Sequence, residues 1–207
     1  MAGDVVIGDG EVDKSRRVFL TAATATTGAI GVALAVIPFA ASWLPSERAR
    51  AVGAPVSLDL SKLDPGQMVV PIWRRQPIYI VRRTPAMLAS LANHDDRLKD
   101  PTSLHSEQPA YAKNVDRSRK PEYLVLIGIC THLGCLPKAR FAAAIPELGA
   151  DWPGGFFCPC HGSRFDLAGR VFDGSPASVN LRVPPYAFEG EQTLVIGVDA
   201  ADAKGAA

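Results

Sequence analysis

Two short segments hold the residue types and spacing for metal chemistry: Cys130-Thr131-His132-Leu133-Gly134-Cys135 and Cys158-Pro159-Cys160-His161-Gly162-Ser163. Each supplies two cysteines and one histidine, and the 207-residue chain has no other cysteine. Four cysteines are too few to staple a fold of this size, so their clustering reads as a local site. Two Cys and two His can hold zinc, but zinc modules usually space like ligands as Cys-x2–4-Cys and His-x3–5-His. Here the pairs are mixed, Cys-x-His in the first segment and Cys-x-x-His in the second. A two-iron cluster accounts for the mixing if each segment gives its cysteine to one iron and its histidine to the other. Thiolate stabilises the ferric ion, and neutral imidazole raises the potential of the iron that takes the electron. Gly134 and Gly162 permit tight turns that bring backbone N–H groups close to such a centre.

Both segments resemble the ligand boxes of Rieske iron-sulfur proteins, specifically those of cytochrome bc1 complexes. The resemblance implies one 2Fe-2S cluster per chain, with Cys130 and Cys158 on the inner iron and His132 and His161 on the outer one. It leaves Cys135 and Cys160 as a disulfide between the segments. The implied fold is an all-β antiparallel Rieske-type head, a β-sandwich with an inserted cluster-binding subdomain, behind one N-terminal transmembrane α-helix. The implied activity is electron transfer within a quinol-cytochrome c oxidoreductase, contributing to proton translocation. In that scheme His161 meets ubiquinol in the cytochrome b subunit and takes a proton as the cluster takes an electron. The head then swings on a tether to reduce cytochrome c1. Leu133 would sit at the apolar tip facing the quinol pocket, and Ser163 would donate a hydrogen bond to the cluster. Gly174-Ser175-Pro176-Ala177 resembles the proline loop that covers the cluster from a third side. Many relatives carry a tyrosine two positions after the serine, whereas this chain has Phe165, so a lower midpoint potential is expected. The partners implied are cytochrome b, cytochrome c1, ubiquinol and membrane lipid, in a dimeric complex.

These segments need a scaffold and an anchor. From Val18 to Leu44 no residue is charged. As a helix at ~1.5 Å per residue this run spans roughly 40 Å, enough to cross a hydrocarbon core of ~30 Å with some tilt. Gly28, Gly31 and Pro38 are tolerated in bilayers, and Trp43 suits an interfacial belt. Directly before the run, Ser15-Arg16-Arg17-Val18-Phe19-Leu20 resembles the twin-arginine export signal. That route carries folded proteins, which suits a cofactor assembled before export, and an oxidising exterior suits a disulfide. The expected plan is a cytoplasmic N-terminus over 1–17, an anchor over 18–44, a flexible tether over 45–55, a periplasmic head over 56–200 with the cluster-binding subdomain about 128–180, and a tail over 201–207. The chain is then a single-pass protein of the bacterial inner membrane.

Within the head, alternation in Val56-Ser57-Leu58-Asp59-Leu60 predicts a strand, Asp64-Pro65-Gly66 a turn, and Gln67 to Trp73 and Ile78 to Arg82 further strands. Thr84-Pro85 offers a cap and first-turn proline for a short helix through about Leu91. The stretch from Asn93 to Lys120 lacks periodicity and is read as loop with possible short helix, with His94, His105 and Asp95-Asp96-Arg97 in solvent. Tyr123 to Ile129 predicts a buried strand leading into Cys130, and Thr193 to Val198 a closing strand. A net charge of +1 gives no nucleic-acid signal, and 47% hydrophobic residues exclude disorder. Rival readings are the small Rieske subunit of a periplasmic oxidase such as arsenite oxidase, a soluble Rieske ferredoxin, and a zinc-stabilised membrane module. Anchor, tether and the Leu136 to Gly155 insertion favour the quinol-oxidising family.

Overall fold

The computed structural model describes residues 13–199, leaving aside the side chain of residue 48. The first twelve residues expected in the cytoplasm and the 201–207 tail lie outside the described residues. The chain forms two compact units that divide after Arg50.

The first unit is dominated by helix α1, Lys14–Ala41. It begins four residues before the uncharged run, because Asp13 caps it: its Oδ1 accepts from the backbone N–H groups of Ser15 and Arg16 at 3.0 and 3.2 Å. No side chain of α1 is buried within the structure, and the helix is long and apolar enough to cross a membrane. The hydroxyls of Thr24 and Thr27 bond to the carbonyls of Leu20 and Ala23 at 2.8 and 2.9 Å. An apolar solvent would offer them no other partner. Helix α2, Glu47–Val52, lies within the 45–55 stretch expected as a flexible tether. Ser46 Oγ accepts from Ala49 N–H at 3.2 Å, and Arg50 pairs with Glu47 at 2.8 Å one turn back. This cap and ion pair suffice to close one turn of good helix formers.

The head is built from three small antiparallel sheets. In the first, β1 (Val56–Asp59) lies against β10 (Thr193–Ile196), which pairs with β9 (Tyr186–Glu189). In the second, β4 (Gln76–Arg82) carries β2 (Met68–Val69) and β3 (Ile72–Trp73) along one edge and β5 (Tyr123–Ile127) along the other. The single strand expected over 67–73 is thus broken in two at Val70-Pro71. Proline lacks the N–H that would continue the ladder. Helix α3, Pro85–Ser90, follows Thr84, whose Oγ1 accepts from Met87 N–H at 3.2 Å. The third sheet, β6 (Lys138–Arg140), β7 (Gly155–Phe157) and β8 (Arg164–Phe165), contains the second ligand segment in its β7–β8 connection.

Every residue of β5 is buried, and with Ile78, Ile80 and Val81 of β4 it forms the centre of the main core. Tyr79 joins base and cluster-bearing sheets: its hydroxyl donates to Pro137 O at 2.8 Å, and its ring stacks on Phe156 of β7 with centroids 5.7 Å apart. The turn after β8 is held by two fully enclosed arginines. Arg83 donates to Leu167 O at 3.0 Å, and Arg117 donates to Ala168 O at 3.0 Å and Leu181 O at 2.7 Å. Burial lowers both guanidinium pKa values to about 10, which leaves them charged at neutral pH.

Candidate metal centre

The two ligand segments have one backbone design. In the first, Cys130 N–H donates to Cys135 O at 2.7 Å and Gly134 N–H returns to Cys130 O at 3.0 Å. In the second, Cys158 N–H donates to Ser163 O at 2.8 Å and Gly162 N–H returns to Cys158 O at 3.0 Å. Gly134 and Gly162 have φ of +83° and +79°, with nothing within 4 Å of the space a Cβ would fill. The glycines are therefore there for the left-handed backbone and not for lack of room. Each loop leaves a strand, β5 or β7, so both are fixed at their bases by the sheets.

Cys130 and Cys158 are free thiols, each 2% exposed. The His132 and His161 rings lie edge to face with centroids 4.9 Å apart, His132 half-buried and His161 exposed. Cys135 and Cys160 form a disulfide between the loops, with Cα atoms 6.6 Å apart. The sulfurs of Cys135, Cys158 and Cys160 all lie within 4.8 Å of one another, but the disulfide removes two of them from the metal-binding set. Two enclosed thiols and two outward imidazoles remain. That set fits a mixed sulfur and nitrogen centre.

Burial and the neighbouring Cys158 thiol push the Cys130 thiol up. Ser163 is fully buried and its Oγ accepts from Ala177 N–H at 3.1 Å. The Gly174 to Ala177 loop is therefore joined to the second ligand loop. Thr131 joins the first loop to the same region, its hydroxyl donating to Val179 O at 2.6 Å. Leu133 stands 70% exposed at the end of the first loop, whereas Phe165 is completely enclosed.

Several side chains sit where sequence reasoning did not place them. His94, expected in solvent, is 3% exposed, with its ring 5.3 Å from that of Phe172 and Nε2 3.3 Å from Asp166 Oδ2. Asp166 is fully buried and also accepts from Arg170 Nε at 2.7 Å. Burial alone would raise its pKa; the bonds from His94 and Arg170, with the Arg170 charge, hold it below the ordinary 3.8. Asp95 is exposed, yet it binds the buried Arg170 guanidinium at 2.7 Å and so is not simply a hydrated charge. His105 is exposed, as expected. Lys99 was not singled out at all, yet its Nζ donates to Ser175 O and Ala177 O at 2.6 and 2.9 Å. Nothing in the spacing of positions 94, 95 or 99 points to partners some seventy positions along the chain.

Residues 98–186 match the family described as Rieske [2Fe-2S] domain, and residues 8–46 match "Ubiquitinol-cytochrome C reductase Fe-S subunit TAT signal". The ubiquinol-cytochrome c reductase iron-sulfur subunit of Allochromatium vinosum is 54% identical over 188 residues, covering 91% of this chain and 91% of that one. The chain belongs to this family of iron-sulfur subunits. The subunit of the same name from Rhodospirillum rubrum is 40% identical over 185 residues, covering 89% of this chain and 93% of that one. The mitochondrial Rieske subunit of the cytochrome b-c1 complex of Schizosaccharomyces pombe is 40% identical over 187 residues, covering 88% and 72%. As an iron-sulfur subunit, the chain carries a Rieske-type 2Fe-2S domain and serves electron transfer within the bc1 oxidoreductase complex. Its N-terminal apolar helix and export signal go with membrane anchoring.

Proposed function

We propose that Cys130 and Cys158 bind one iron of the cluster and His132 and His161 the other, and that His161 is the residue at which quinol is oxidised. The observation that carries this reading is the gathering of two enclosed free thiols and two imidazoles by a pair of like loops locked by a disulfide. When bound, the cluster accepts and gives up a single electron. The chain's own residues do the rest. The two thiols, shut away from water, hold the buried side. Exposed His161 offers its free ring nitrogen to a ubiquinol hydroxyl and takes the proton there, and half-buried His132 supports it from the first loop. Leu133, apolar and exposed beside His132, presents a dry contact to the quinol site on cytochrome b.

In this reading residues 18–44 cross the bacterial inner membrane once and 1–17 stay in the cytoplasm. The head over 56–200 stands on the periplasmic side, with the cluster-binding subdomain about 128–180. The 45–55 connection, with α2 in it, lets the head deliver its electron to cytochrome c1 in a dimeric complex. The test is made on the complex purified from membranes with cytochromes b and c1. His161→Gln and Leu133→Ala are compared with wild type for iron, acid-labile sulfide, the EPR spectrum of the reduced protein and quinol-cytochrome c turnover. His161→Gln is expected to lose the cluster signal and turnover together. Leu133→Ala is expected to keep iron and spectrum while turnover falls about tenfold, as for a well-packed apolar contact of about 1.4 kcal/mol. A wild-type protein free of iron and sulfide, or a Leu133→Ala variant with full turnover, contradicts the respective part.

A further inference from the structure

We propose that Lys99 is a positioning residue for the redox centre: by gripping the loop around Pro176 it sets the direction in which the Ser163 hydroxyl donates to that centre. This rests on the ligand set proposed above. Lys99 Nζ donates to Ser175 O at 2.6 Å and to Ala177 O at 2.9 Å, the carbonyls on either side of Pro176. Two anchor points on a loop stiffened by proline fix the direction of the intervening chain. The Ala177 N–H, held between them, donates to Ser163 Oγ at 3.1 Å. An oxygen that accepts one bond there has its own proton free to donate, and this fully buried hydroxyl of the second ligand loop gives it to the centre the loops hold.

The base of the lysine is itself fixed. Its backbone N–H donates to Val171 O at 3.0 Å, and neighbouring Leu98 is bridged to Phe172 and buried with Trp152 and Phe172. The same loop is tied a second time, since Ser175 Oγ accepts from Arg164 N–H at 3.1 Å, one residue beyond Ser163. The chain of contacts therefore runs Lys99, Ala177, Ser163. A donor that accepts a bond of its own is strengthened, and a stronger donor at a cluster sulfur favours the more negative, reduced state. Lys99 thus raises the midpoint potential without touching the ligands.

A bare positive charge near the centre would also raise the potential, so the experiment is a double-mutant cycle. Midpoint potentials of the full chain in its membrane complex are measured by EPR-monitored redox titration for wild type, Lys99→Met, Ser163→Ala and the double variant, with iron content as the control for assembly. Lys99→Met is expected to shift the redox equilibrium about fivefold toward the oxidised form, equal to about 40 mV at 59 mV per tenfold for one electron. In the Ser163→Ala background the same substitution is expected to shift it by less than twofold. Lys99→Arg is expected to restore most of the wild-type value, and Lys99→Gln takes the place of Lys99→Met in the cycle if the latter fails to assemble. Equal shifts in both backgrounds mean a through-space charge and overturn the proposal, as does no shift in either. If Ser163→Ala alone leaves the potential unchanged, Ser163 gives the centre no hydrogen bond and the proposal is overturned; wild-type protein without iron defeats the ligand reading instead.

Discussion

The two ligand loops have the same backbone hydrogen bonds and the same left-handed glycine, yet equivalent positions carry different chemistry. Where the first loop has His132 and Leu133, the second has Cys160 and His161; where the first ends in Cys135, the second ends in Ser163. The first loop exposes a leucine and keeps its histidine half-buried, whereas the second exposes its histidine. The first loop's terminal sulfur joins the disulfide, while the second loop's terminal hydroxyl is fully buried and accepts from Ala177 N–H. Under the proposed function, a repeated turn is a frame on which one side is given to docking and the other to proton and potential control.

The comparison can be broken most severely at the disulfide, the one covalent tie between the loops. Its residues are 25 apart, and opening a loop of that length is expected to cost about 3 to 4 kcal/mol. Cys135→Ser and Cys160→Ser should lower the thermal midpoint equally and release cluster iron on warming. A drop for one variant alone would mean that its loop relies on a local contact and not on the link. The glycines offer a smaller and symmetric effect. With no steric obstacle at either site, Gly134→Ala and Gly162→Ala should each cost about 1 to 2 kcal/mol from the left-handed backbone alone. A difference of more than about 1 kcal/mol between them in denaturant titrations would show that the two turns are not equivalent. The smallest expected effect is on potential. Phe165→Tyr would add a hydroxyl just beyond the second loop, and as a further donor it should raise the midpoint potential in a redox titration. An unchanged or lower value would show that the enclosed site turns the hydroxyl elsewhere.

Much of the positioning machinery was legible because it repeats or alternates. Tyr123 to Ile127 is apolar at each position, as a strand covered on both faces requires, and Thr84-Pro85 spells the start of its helix. The uncharged run located α1 but not its start, which Asp13 sets by capping. What escaped was every contact in which a polar side chain is satisfied by a distant carbonyl. Nothing in the sequence marks Arg83, Arg117 or Arg170 as interior residues, yet each is 2% exposed or less. Only the fold brings Leu167 O, Ala168 O and Leu91 O to them. His94 escaped for the same reason, since its partner Asp166 lies beyond the second ligand loop. The short strands β6 to β8 escaped because two or three residues are too few to show a period.

The closeness of the Cys158 thiol to the Cys135–Cys160 bond has a consequence for maturation. A thiolate within reach of a disulfide can attack it, and under the proposed ligand set exchange would move the crosslink onto a sulfur that iron needs. Under that same assignment, iron already on Cys158 would occupy the attacking sulfur and protect the bridge.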